Sequence, residues 1–295
     1  MTLDALIDGA WDDHADAPGD VAERLAQGRS LLAAPADIPP FARIVTHVYG
    51  EHLARWDEGA ALLESLRETP AWDGSPAAAT ALERGIAVLR YCGGAAAAVD
   101  PLPVDERIAV LATAASALVA QHACREGIAA YRAALALAPP GLTRESPAAR
   151  ALAAGGNNLA VALEEKPDRD AFEARAMLEA ARAGLEYWKI AGTWLEEERA
   201  EFRLSSCLRA EGDYEGAMAH ARRCVAVCDA NTAPPFERFF GVAAFALAQR
   251  DAGLDEDADA TLRHVNAAYA AIPAAERRWC ETLRAALALP ALASE

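Results

Sequence analysis

Lysine is nearly missing from this chain: Lys166 and Lys189 stand beside 26 arginines among its 28 basic residues. That imbalance reads as the codon bias of a GC-rich, bacterial genome. Basic residues of either kind are outnumbered by 44 Asp and Glu, which leaves a net charge of −16. An acidic surface repels phosphate backbones and anionic headgroups, so neither nucleic acid nor a membrane is expected as a partner. No run of Lys and Arg exceeds two residues to offset this locally.

Other absences narrow the field further. No alternating β-branched run is long enough to demand a sheet. No apolar stretch reaches 18 residues without a charge or a helix breaker, so no membrane span is expected. Met1 to Ala10 lack a basic segment followed by an apolar core, and no secretory signal is expected there. The six cysteines are scattered through helical segments without the dense spacing of a disulfide scaffold, which favours reduced thiols and a cytoplasmic setting. Gly155-Gly156 lies inside a helical pattern without the Lys and Ser/Thr of a phosphate-binding loop. No Gly-x-Ser-x-Gly elbow occurs, and Ser205-Ser206 has no His near it in sequence. No enzyme activity, catalytic residue, cofactor or metal is therefore expected.

What the chain does have is apolar bulk without rings. It is 53% hydrophobic but only 6% aromatic, and alanine supplies much of the difference. Alanine is the best helix former and lets helices approach closely. A spacing of three, seven and ten residues recurs along the chain. Cys124, Gly127, Tyr131 and Ala134 show it, as do Tyr214, Ala217, Ala221 and Cys224, and Asp255, Ala258, Leu262 and Val265. These offsets place small and large side chains on one helical face, the pattern of a face packed closely by another helix. Repetition on this scale predicts a helical solenoid, each unit burying its apolar face against its neighbours.

Punctuation divides the chain into about fourteen helical segments. Asp20 with Glu23 predicts a capping-box start, with the helix ending at Ala33 to Pro35. Pro39-Pro40 open the next segment, through Phe41, Val45, Val48 and Leu53, and Trp56 to Leu66 form its partner. Ser75-Pro76 and Ser146-Pro147 each read as an N-cap followed by proline in the first turn. Thr193 with Glu196 predicts a capping box directly after Gly192. Loops are expected at Gly93-Gly94 and Pro139-Pro140-Gly141. The expected organisation is one array over 1–295: capping helices at 1–38, degenerate repeats at 39–103, better-defined repeats at 104–272 and a capping helix at 273–295.

Gly212-Asp213-Tyr214 followed by Ala217, and Asn157-Asn158-Leu159-Ala160, resemble the inter-helix turn and the first-helix signature of tetratricopeptide-repeat proteins, in the longer-unit form. The resemblance is strongest over 104–270. The first-helix Trp of that family is missing, and Cys124 and Asp255 stand where it has an aromatic. The resemblance implies an all-α, right-handed α-solenoid of stacked antiparallel helix pairs, a TPR-like superhelix whose first helices line a concave surface.

Carried onto that surface, the first helices offer Asn157 and Asn158, then Arg199, Phe202, Arg203 and Arg209, then Phe240 and Arg250. Asn amides hydrogen-bond a peptide backbone in both senses, and Arg forks grip carboxylates. The alternative is that the arginines pair with Glu196, Glu197, Glu198 and Glu201 along their own helix. Phe239 is expected to pack inward, and Phe240 to lie nearer the groove. Tyr187, Trp188 and Trp194 form either an anchor for a partner or a wedge between helices, with the wedge favoured. His220, Cys224 and Cys228 share a helical face, but a zinc site needs a further ligand in recognisable pairing. His47 and Glu51 have helical metal spacing, and His14, His52, His122 and His264 form no convergent pattern with them.

The expected function is a non-enzymatic scaffold or adaptor that holds a protein or peptide, with an acidic segment or a C-terminal carboxylate as the complement of the arginines. A structural or regulatory subunit of an enzyme complex is the alternative, followed by a small-ligand or metal-binding helical protein.

Overall fold

The computed structural model describes residues 2–289. Among them there are fourteen α-helices and no strand. These are α1 Leu3–Asp13, α2 Pro18–Gly28, α3 Ile38–His47, α4 Trp56–Ser65, α5 Pro76–Cys92, α6 Val104–Ala120 and α7 Cys124–Leu137. They continue as α8 Pro147–Glu165, α9 Ala171–Ala191, α10 Trp194–Ala210, α11 Tyr214–Ala230, α12 Pro235–Asp251, α13 Asp255–Ala271 and α14 Glu281–Ala286. The chain forms two compact units: Met1–Leu142 with Ser146–Gly155, and Thr143–Glu145 with Gly156–Glu295. Within each unit, helices that follow one another in sequence pack together.

The recurring spacing has a simple meaning in the structure. Cys124, Tyr214 and Asp255, which begin its three copies, each open the second helix of a pair. In the first unit α1 packs on α2 and α3, α3 and α4 on α5, α5 on α6, and α6 on α7. Leu6, Leu25, Phe41, Ile44, Leu63 and Leu82 are fully buried within one shared core. The small slot of α7 is what lets α6 approach. A Cβ added to Gly127 would lie 2.4 Å from Val119 Cγ2 and 2.9 Å from the Ala115 carbonyl oxygen. Tyr131, one turn on, is buried, and its hydroxyl donates to the Leu152 carbonyl at 2.8 Å.

In the second unit α9 packs on α10, α10 on α11, α11 on α12, and α12 on α13. Ala217, Ala221 and Cys224 of α11 are completely buried. Ser205 of α10 donates to the Ala217 carbonyl at 2.8 Å, a buried bond in this tight contact.

The caps hold at Ser146, where Oγ accepts from Ala148 N at 3.2 Å, and at Thr193, whose side chain accepts from Leu195 N while Glu196 accepts from Thr193 N. Asp20 is a correction. The helix there starts at Pro18 with Ala17 as N-cap, so Asp20 sits in the first turn and Glu23 closes no box. Proline's fixed φ and missing N–H make it a first-turn residue, and this displaces the cap upstream.

A second difference lies after α3. Val48–His52 continue it as one π turn, which ends with Ala54 in the left-handed region at φ 50°. The sequence pattern, with Val45, Val48 and Leu53 spaced along one segment, predicts ordinary helix here.

Candidate functional site

Three first helices of the second unit meet around a cavity of about 550 Å³. Asn157 comes from α8, and α10 supplies Glu198, Arg199, Phe202 and Arg203. Phe236, Glu237 and Phe240 come from α12, with Trp279 from the segment after α13. Spacings of three and four along α10 and α12 bring these side chains to one side of each helix.

The aromatic wall is continuous. Phe240 meets Phe202 edge-on at 5.5 Å between ring centroids and Phe236 at 5.1 Å. Behind it Phe239 is fully buried, while Phe240 lines the cavity. Trp279 is 62% exposed, the most of any large apolar side chain among the described residues.

Each of the two arginines bonds a carboxylate from a neighbouring helix. Arg199 grips Glu237 of α12 with two bonds, Nε to Oε2 at 3.1 Å and a terminal nitrogen to Oε1 at 2.5 Å. Arg203 donates to Glu164 of α8 at 2.5 Å. Glu164 also accepts from Ser206. The two guanidinium charges are thus balanced by carboxylates from neighbouring helices. The Arg199 side chain is still 57% exposed, against 22% for Arg203.

Under Arg199 lies Glu198, with no exposed surface. Its Oε1 accepts from the Cys224 thiol at 2.9 Å, and its buried Oε2 has no hydrogen-bond partner. Burial pushes this carboxyl up to about 7; the Cys224 bond opposes the shift and neighbouring Glu237 adds to it. The Cys224 thiol is itself pushed up, by its hydrogen bond with Cys228 and by burial.

Of the residues expected in a groove, Asn157, Arg199, Phe202, Arg203 and Phe240 line this cavity. Asn158 is exposed beside it and does not. Arg209 pairs with Asp251 at 2.7 Å, and Arg250 donates to the Ala286 carbonyl at 2.8 Å. Both lie toward the C-terminal ends of α10 and α12, roughly 9 Å or more of helix rise away from Arg203 and Phe240. Sequence alone does not place Glu198, Phe236, Glu237 and Trp279 at the groove, because it is the packing of separate helices that brings them there. Tyr187, Trp188 and Trp194 are half-buried outside the cavity.

His220 faces buried Glu201 with Nδ1 at 2.6 Å, and Cys224 is committed to Glu198. The expected lack of convergence among the other histidines is corrected by the first unit, where His14, His47 and His52 come together. Burial pushes His52 down, and His47 and His14 act in the same direction.

No family model matches the chain, and no curated protein matches it. Among solved structures, it is similar to a Podosopora anserina protein described as a kinesin light chain with nearly identical TPR-like repeats. The identity is 16% and the TM-score 0.48, over 77% of this chain and 95% of that one. Among the described residues, no helix is long and apolar enough to cross a membrane.

Proposed function

We propose that the protein is a non-enzymatic scaffold that holds a protein or peptide segment in the cavity between α8, α10 and α12. The observation that carries this reading is an open cavity walled by Phe202, Phe236 and Phe240, with an exposed Trp279 at its edge. Exposed aromatic surface beside a concave wall is the usual ground for an anchoring side chain. The charges at its floor are already paired, so the main attraction is apolar.

The carboxylate expected as the partner's signature enters in narrower form. One acidic side chain or chain terminus sits at the exposed side of Arg199, while Arg203 stays with Glu164 and braces the floor. Asn157 supplies an amide for the backbone of the bound segment.

A displayed-peptide selection against the whole protein tests this. Selected peptides are expected to share an aromatic or Leu near an Asp, Glu or free C-terminus. Phe240→Ala and Arg199→Ala should each weaken them about tenfold or more without lowering the melting temperature by a matching amount. Asn158→Ala, Arg209→Ala and Arg250→Ala should bind as the parent does. Peptides that bind Phe240→Ala and Arg199→Ala at full strength would overturn the reading.

A further inference from the structure

Three of the six histidines meet in the first unit, although they come from separate places in the chain. His14 caps the C-terminus of α1, His47 is the last residue of α3, and His52 ends the π turn. Their ring centroids lie 4.9 Å apart for His14 and His47, 5.0 Å for His14 and His52, and 4.9 Å for His47 and His52. One imidazole nitrogen from each lies within 4.8 Å of the others. All three rings are half-buried, so the cluster remains reachable from solvent.

The hydrogen bonds around the cluster decide which nitrogens keep a lone pair. His14 Nδ1 is 2.6 Å from the Trp11 carbonyl oxygen. A carbonyl only accepts, so Nδ1 carries the proton and Nε2 is left as the donor of electrons. His47 Nδ1 is 3.2 Å from Glu51 Oε1, which puts its proton on that side and frees Nε2 in the same way. His47 Nε2 then faces His52 Nε2 at 3.2 Å. Two facing nitrogens at this distance are bridged by a proton or by a cation. Zinc–nitrogen bonds of about 2.0–2.1 Å in a tetrahedral shell set two ligand nitrogens roughly 3.3 Å apart.

The supporting contacts are those a metal site uses. A carboxylate on one ligating imidazole and a backbone carbonyl on another fix tautomer and ring direction. Trp11 packs on His47 at 5.1 Å and on His14 at 5.5 Å between ring centroids. The Gln121 side chain donates to the Glu51 carbonyl at 2.6 Å, holding the π turn from α6. That turn is what aligns the pair: five residues along an ordinary α-helix point about 140° apart, whereas the i to i+5 closure of a π turn returns them to one side.

We propose that His14, His47 and His52 form a three-imidazole site for a divalent transition-metal ion of the zinc class, oriented by Glu51 and the Trp11 carbonyl. Nitrogen ligands without a coordinating carboxylate suit zinc, copper, nickel or cobalt and disfavour magnesium and calcium. Three protein ligands leave a fourth position for water or a small anion.

The test uses the full chain without a histidine tag, stripped with EDTA and titrated with zinc and then with cobalt. One equivalent of zinc should bind, raise the melting temperature and compete with cobalt, whose bound form should show the intense visible bands of a four-coordinate site. His47→Gln and His14→Gln should each weaken binding at least tenfold. Glu51→Gln should weaken it about 10–100-fold, the range seen when such orienting partners are lost. His122→Gln and His264→Gln should leave it unchanged. In the unaltered protein, zinc should shield His14, His47 and His52 from carbethoxylation by diethyl pyrocarbonate, a readout that needs no variant to fold. Failure to saturate at one equivalent, equal modification with and without zinc, or full binding by a His14→Gln, His47→Gln double variant would overturn the site and assign the His47–His52 contact to a shared proton.

Discussion

Glu198 sits where burial outweighs every local preference of a carboxylate, and the consequence is a pH dependence. Its carboxyl is pushed from the ordinary 4.5 up to about 7 by burial first. Below the ordinary value the group is protonated in both the folded and unfolded chain. Between 4.5 and about 7 the folded chain keeps a proton that the unfolded chain releases, so stability falls as pH rises through this window. Above it the loss is complete, on the order of a few kcal/mol. Glu198→Gln should flatten that slope and melt higher than the parent at pH 8, as urea midpoints at several pH values will show. An unchanged slope would place the proton elsewhere. Two glycines make a second contrast at this scale. Gly127→Ala must push Val119 and the α6 backbone aside and should cost about 1–3 kcal/mol. Gly19, in the first turn of α2 with nothing within 4 Å, should gain up to about 1 kcal/mol when changed to Ala. Equal effects in thermal melts would mean that the α6–α7 contact is looser than drawn.

At the level of helices, what was legible in the sequence is what is decided locally. The Thr193–Glu196 box, the Ser146-Pro147 start and the turn at Gly212-Asp213-Tyr214 depend on residues within one or two turns, and each stands in the structure. Thr193→Ala should cost about 1 kcal/mol and Thr193→Asp much less, measured by urea unfolding; equal losses would deny the cap its role. Three features were not legible, for one physical reason. Arg199 and Arg203 find carboxylates 38 and 39 residues away, where a same-helix reading looks three or four residues along. The cavity draws Trp279 from beyond α13. The π turn adds one residue to a helix without any composition of its own, so His47 and His52 look misaligned until the backbone is seen.

For the whole molecule, a charge of −16 on 295 residues means that like charges crowd the surface. Ion pairs such as Arg209–Asp251, Arg169–Glu211 and Lys166–Glu173 relieve this only locally. Self-repulsion acts over roughly 10 Å at 0.1 M salt and shortens as salt rises. The melting temperature should therefore climb between low and moderate sodium chloride. A fall over that range would show that the cross-helix ion pairs contribute more to stability than repulsion removes.

Five of the six cysteines are buried and the sixth, Cys92, is half-buried. Burial holds Cys92 up at about 12 and Cys280 up at about 11, which keeps both as unreactive thiols at neutral pH. Such thiols react with an alkylating reagent only during the intervals when their surroundings come apart. They are spread over α5, α7, α10, α11 and the segment before α14, so the protein carries timers along its length. Pulsed alkylation followed by peptide mass analysis would read how often each stretch breathes, without a single introduced label, and would rank the helices by lifetime of their closed state.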